Sequence, residues 1–305
     1  MGFTYSVYLP GFNKTVWARE IAYKDYKDLV KSLYNKDESS FIIHSNNVIE
    51  QIVPGILYSG LTVVDKLILL VNARAVSVGP DLKLKANCKD TKNEFEYTVQ
   101  LDTIFNTLSN LKYSATTTYK NITVEYSIVK ARDEVHFLEK NPELLFVYQL
   151  ASCIDKIKTN GIVLNFNEID FEKRCELVDK LPAQLNNTII QNLLDTESAL
   201  AKNKLILIRS PFTNNEVVDM PLSTDTNILL QFSKLLFTDD LNNLYQLTYN
   251  LISKLHMQGS YIDNLTLAEL YLFWSLYLQE VQRNEQDNSP NNGMMYQGTK
   301  SEFTS

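Results

Sequence analysis

The sequence predicts an α+β fold, mostly helical, with two β-hairpin modules inserted among the helices. Three observations carry this reading. Apolar residues recur with a helical period in segments such as "YKDYKDLVKSLYN". Apolar and polar residues alternate in twos on both sides of polar turns, first in "DLKLKANCKDTKNEFEYTVQL" and again in "NKLILIRSPFTNNEVVDMPL". Both turns share a [C/S]-x-x-T spacing, Cys88 to Thr91 and Ser210 to Thr213, a two-residue match that hints at a repeat.

Residues 1–21 read as a hairpin, with Pro10 and Gly11 as the turn. Tyr23, Tyr26, Leu29, Val30 and Leu33 then fall on one face of a helix. "NNVIEQIVPGILY" and "LTVVDKLILLVNARAVSVG" read as two further helical stretches, interrupted at Pro54 and ended at Gly79. The first hairpin module follows, and "SATTTYKNITVEYSIV" adds β-branched, strand-like sequence. Past residue 140, Asn141 and Pro142 mark a helix start, and "NPELLFVYQLASCIDKI" reads as one helix. "DFEKRCELVDKL" and "PAQLNNTIIQNLL" form a helix–Pro–helix pair. After the second hairpin, three helical segments close the chain. The expected organisation is an α+β region over 1–140, a helical region over 141–283 and a disordered tail over 284–305, whose Asn-rich sequence has too few aliphatic residues to offset ordering.

Little in the sequence suggests chemistry. The turn "ANCKDTKNEFEY" has the shape of a metal knuckle, but Thr91 stands where a second cysteine would, and His44, His136 and His256 have no ligand spacing to Cys88. Neither a nucleophile elbow nor a Gly-rich phosphate loop occurs, and the chain has only 9 glycines. Cys153 and Cys175 lie among Leu, Val and Ile, as structural thiols do. Asp133, Glu134 and Glu139 in "ARDEVHFLEK" read as a solvated helix face, with His136 at the surface or at a cap. No catalytic, cofactor-binding or metal-binding residue is therefore expected. A net charge of −7 argues against a broad nucleic-acid surface, and no apolar run is long enough to span a membrane. Three widely spaced cysteines fit reduced thiols, and the N-terminus has no secretory signal.

The segment 265–281, "LTLAELYLFWSLYLQEV", is apolar nearly all the way round a helix, interrupted only by Thr266, Glu269, Ser275, Gln279 and Glu280. The plain reading is a helix buried in its own core. The alternative divides it between core and partner. Tyr271 and Trp274 would then join Leu267 and Leu278 under the stripe Leu244, Leu247, Leu251 and Leu255, with Phe273 and Tyr277 toward a partner.

The stretch carrying Asp65, Leu69, Leu70, Arg74, Ser77, Gly79 and Cys88 resembles the family of T4-type phage baseplate hub and hub-assembly proteins. In that family such a helix precedes a strand and a hairpin that often holds C-x-x-C. The link Ile262, Asn264, Leu265 and Thr266 before the last helix is similar too. Thr91 departs from the paired-cysteine pattern and removes any metal carried over from it. The resemblance implies a protein that is not an enzyme, made in the cytoplasm of an infected bacterium. Its partners would be other tail and baseplate hub proteins, and it would either help assemble the hub or stay in the virion tail baseplate. The rival within that setting is a transient chaperone for the tape-measure protein. Rivals of other classes are a hub lysozyme or peptidase, which needs a paired carboxylate or a nucleophile–base pair, and a cellular adaptor unrelated to phage.

Overall fold

A computed structural model describes residues 4–56, 58–88, 91–111, 114–138 and 142–287. The chain opens with the hairpin β1 (Thr4–Leu9) and β2 (Lys14–Arg19). Helices α1 (Tyr23–Tyr34), α2 (Glu38–Ile52) and α3 (Val63–Ser77) follow. A second hairpin, β3 (Asp81–Asn87) with β4 (Glu94–Gln100), leads into α4 (Leu101–Ser109). Strands β5 (Ala115–Tyr119), β6 (Ile122–Tyr126), β7 (Ile154–Thr159) and β8 (Ile162–Asn165) form an antiparallel sheet in that order, with α5 (Pro142–Cys153) between β6 and β7. Helices α6 (Phe171–Asp179) and α7 (Ala183–Leu200) precede a third hairpin, β9 (Lys204–Arg209) with β10 (Glu216–Pro221). Helices α8 (Thr226–Leu235), α9 (Leu241–Leu255), α10 (Gly259–Ile262) and α11 (Leu267–Asp287) close the fold. The class is α+β and mostly helical, as the patterning predicts.

The central element is α3. Its sequence is apolar around most of its circumference, and Val63, Val64 and Leu67–Val71 are all buried, as such a helix must be. Thr62 and Asp65 form a capping box at its start, and the Asp65 carboxylate also accepts from Gly11 N–H at 2.9 Å. This docks the tip of the first hairpin on α3. A Cβ at Gly11 would lie 2.5 Å from the Asp65 carboxylate and 2.7 Å from Thr62, so only glycine fits the approach.

Two cores result. The larger gathers β1–β2, α1–α4, β3–β4 and the elements from β9 onward. The smaller is built from β6, β7 and α5–α7, with Val124, Leu150, Ile154, Phe166 and Leu185 at its centre. A division at residue 140 does not follow these cores, because β6 pairs with β7 across it. The single helix expected over 141–157 is also corrected. It ends at Cys153, and the chain turns directly into β7, whose backbone is taken up by β6 and β8. At the C-terminus α11 continues to Asp287, four residues into the segment read as a tail, and 288–305 lie outside the described residues.

The acidic segment at 131–138 is a further correction. It is a 3₁₀ helix, Ala131–Leu138, and Asp133 and Glu134 are buried rather than solvated. Asp133 accepts a bidentate pair from Arg174 of α6 at 2.7 and 2.8 Å, and Arg174 also donates to the Ala151 carbonyl at 2.9 Å. Glu134 pairs with Lys66 of α3. Neighbouring residues thus reach into the two different cores. His136 is not at the surface either: it is half-buried and stacks on Phe171 with ring centres 3.8 Å apart.

Candidate functional site

The two hairpin turns that share [C/S]-x-x-T come together in space. In the first, Cys88 N–H donates to Asn93 O at 2.9 Å and Lys92 N–H to Cys88 O at 2.8 Å. In the second, Ser210 N–H donates to Asn215 O at 2.8 Å and Asn214 N–H to Ser210 O at 2.9 Å. Lys92 and Asn214 both take left-handed backbone angles, φ 57° and 56°. The turns therefore repeat bond for bond, and Phe95 meets Phe212 edge-on between them at 6.2 Å. Cys88 Sγ lies 3.7 Å from Thr213 Oγ1 across the junction. The site has the layout of two facing knuckles, but its side chains are one thiol and three hydroxyls, Cys88, Thr91, Ser210 and Thr213. Hydroxyls do not replace the Cys, His or carboxylate donors of a zinc site. Among the described residues no group of three or more His, Cys, Asp or Glu is placed to hold a metal.

The Cys88 sulfur sits at the polar centre of this junction, facing Thr213. Bonds from the Ser210 hydroxyl first, then the Thr91 side chain and backbone, draw the Cys88 thiol down to about 6, with Thr213 adding to them. The folded value lies below the unfolded one of about 8.5. The thiolate's contribution to stability is thus fully present above the unfolded value and is lost as pH falls through about 6. Wild type is expected to gain more thermal stability between pH 6 and 9 than Cys88→Ser, whose hydroxyl at position 88 does not titrate. Parallel melting curves for the two would refute the thiolate.

Burial pushes the Cys153 thiol up to about 12 and the Cys175 thiol up to about 11, the opposite of activated nucleophiles. A cleft of about 570 Å³ lies between α5, α7 and the start of α8, walled by Ile128, Phe137, Leu145 and Leu193. Its carboxylates are engaged structurally. Glu197 accepts from the Ser223 and Thr224 hydroxyls and Thr224 N–H, Asp225 caps α8, and Glu38 pairs with Lys234.

The closing helix α11 presents the most unusual surface. It starts with a capping box between Thr266 and Glu269, and Leu267 and Leu270 are fully buried. On α9, which packs against α11, Leu244, Leu247 and Leu251 are buried and Leu255 is half-buried. No residue of α11 from Tyr271 to Glu285 is buried. The division between faces differs from the sequence reading. Tyr271 and Leu278, expected in the core, are exposed, as are Leu272 and Leu276. Trp274 packs on the main core as expected, but Phe273 does so too. Tyr277 is half-buried and stacks on Trp274 at 5.2 Å. Phe273 and Tyr277 therefore lie on the half-buried side of the helix, and the exposed apolar area comes instead from Tyr271, Leu272, Leu276 and Leu278. A helix apolar all round gives the sequence no polar face from which to orient it.

Among the described residues no helix is long and apolar enough to cross a membrane. No curated protein matches the chain, and no solved structure matches it. A family model described as T4 bacteriophage base plate protein matches residues 2–206, from the first hairpin through α7 into β9. The chain belongs to the T4 bacteriophage base plate protein family.

Proposed function

We propose that this baseplate protein is a non-enzymatic subunit or assembly factor of the baseplate hub, acting through protein–protein contact. The observation that carries the reading is α11: eight successive residues, Tyr271 to Leu278, seven of them apolar, with none buried. Such a surface is costly to leave in water and suits a partner. The engaged carboxylates of the cleft and the raised thiols of Cys153 and Cys175 support a role without catalysis.

Quantitative mass spectrometry of purified particles and of baseplate intermediates tests this. The chain is expected in the intermediates together with other hub proteins, and in mature particles if it is a subunit. Recovery only with the tape-measure protein, and not with hub proteins, would move the assignment to a transient tail chaperone. Absence from every tail assembly would overturn both readings.

A further inference from the structure

At 100° per residue, Leu278, Tyr271, Ser275, Ala268, Leu272 and Leu276 span an arc of about 160° on α11, opposite the buried Leu270 and the half-buried Tyr277. The middle of the arc holds the small residues Ala268 and Ser275. Its two borders are Tyr271 with Leu278, and Leu272 with Leu276. The Ser275 hydroxyl donates to the Leu272 carbonyl and adds no unmet polar group. This is the relief of a helix-packing groove: a shallow floor between two apolar ridges.

Helix α9 packs against α11 and carries an exposed apolar stripe of its own, Tyr245, Tyr249 and Ile252. The exposed apolar side chains of the two helices, roughly half of about 200 Å² each, amount to on the order of 700 Å². A monomer's largest apolar patch is about 300–600 Å², and a standard interface buries about 800 Å² per partner.

Charge selects the occupant. Just past Leu276 on the helical wheel, Glu269 and Glu280 fall within about 20° of one another. Neither has an ion-pair partner among the described residues. The helix carries Glu269, Glu280, Glu285 and Asp287 against the single base Arg283. A second copy would set two acidic helices against each other, which like-charge repulsion disfavours. We infer that the α9–α11 face is the docking site for an amphipathic helix of another baseplate protein, with an apolar seam against Ala268 and Ser275 and basic residues along the edge facing Glu269 and Glu280. This inference rests on the reading of the chain as a protein that works by contact.

Two designed helical peptides with the same leucine seam, one with lysine edges and one with glutamate edges, test it by fluorescence anisotropy against the full chain. The lysine peptide is expected to bind at least tenfold more tightly, with an advantage that shrinks as salt rises. Leu272→Asp with Leu276→Asp should abolish binding. Glu280→Lys, a change at an exposed site, should narrow the preference between the peptides and so guards against loss of binding through misfolding. Equal affinities, binding of neither peptide, or binding that survives the double substitution would overturn the inference. So would a wild-type dimer in sedimentation that the double substitution dissolves. If particles contain the chain and the peptides fail, the docking inference falls alone and the baseplate role stands.

Discussion

Asp133→Ala is expected to destabilise the fold by about 3–5 kcal/mol, measured by urea denaturation. The side chain is nearly inaccessible and holds both terminal nitrogens of an equally buried guanidinium, Arg174. Removing the carboxylate leaves Arg174 uncompensated in the smaller core, with only the Ala151 carbonyl as acceptor. Arg132 makes this worse. Burial and the nearby Arg174 already disfavour its charge and hold its pKa below the usual arginine value, and Asp133 is what opposes them. The partner experiment separates the value of the pair from the cost of breaking it. Asp133→Leu with Arg174→Met should recover most of the loss, because an apolar replacement of a buried pair is often neutral. A single variant within about 1 kcal/mol of wild type would mean that water reaches the pair.

Phe237→Ala should cost a similar amount, about 3–5 kcal/mol, in the larger core. Phe237 is fully buried where the chain passes from α8 to α9, with its ring edge-on to Tyr26 at 5.5 Å and tilted against Phe41 at 6.2 Å. Its neighbours cannot collapse freely into the space it leaves. The Tyr26 hydroxyl is tied to the Asp239 carboxylate, and Arg74 Nε donates to the Leu236 carbonyl at 3.1 Å. The cavity should persist, and Phe237→Leu should lose markedly less. Equal losses for both variants in chemical denaturation would point to the ring contacts rather than to volume.

Much of this architecture was legible because it rests on local pattern. The period-two strands around Cys88 and Ser210 and the shared [C/S]-x-x-T located both turns, although the contact between them, across 125 residues, was not readable from that spacing. What escaped depends on partners far away in sequence. Asp133 and Glu134 look like a solvated face until Arg174 and Lys66, 41 and 68 residues distant, are placed against them. Strand β7 was hidden because "LASCIDKI" continues the apolar period of α5, and only pairing with β6 and β8 selects the extended form. In α11 the existence of a surplus apolar face was readable, but which residues form it was not. Tyr271 and Trp274 are three apart and lie about 60° from each other on the wheel, yet only Trp274 packs on the core.

The start of α1 has a consequence for how the chain is made. Its first turn has no side-chain cap; instead Tyr23 N–H donates to the Leu265 carbonyl at 2.7 Å and Lys24 N–H to the Asp263 carbonyl at 3.2 Å. The Tyr23 hydroxyl donates to the Leu244 carbonyl at 2.6 Å. A ribosome adding about 5–20 residues per second reaches Leu265 roughly 10–50 s after Tyr23. Throughout that interval the N-terminal half emerges with an unfinished helix end and an uncovered apolar flank. The residues that complete it immediately precede the helix bearing the exposed groove. Vectorial synthesis thus delivers the docking helix only after the body it packs on, which the segment just before it has sealed, and a nascent chain cannot display the finished surface before it can fold.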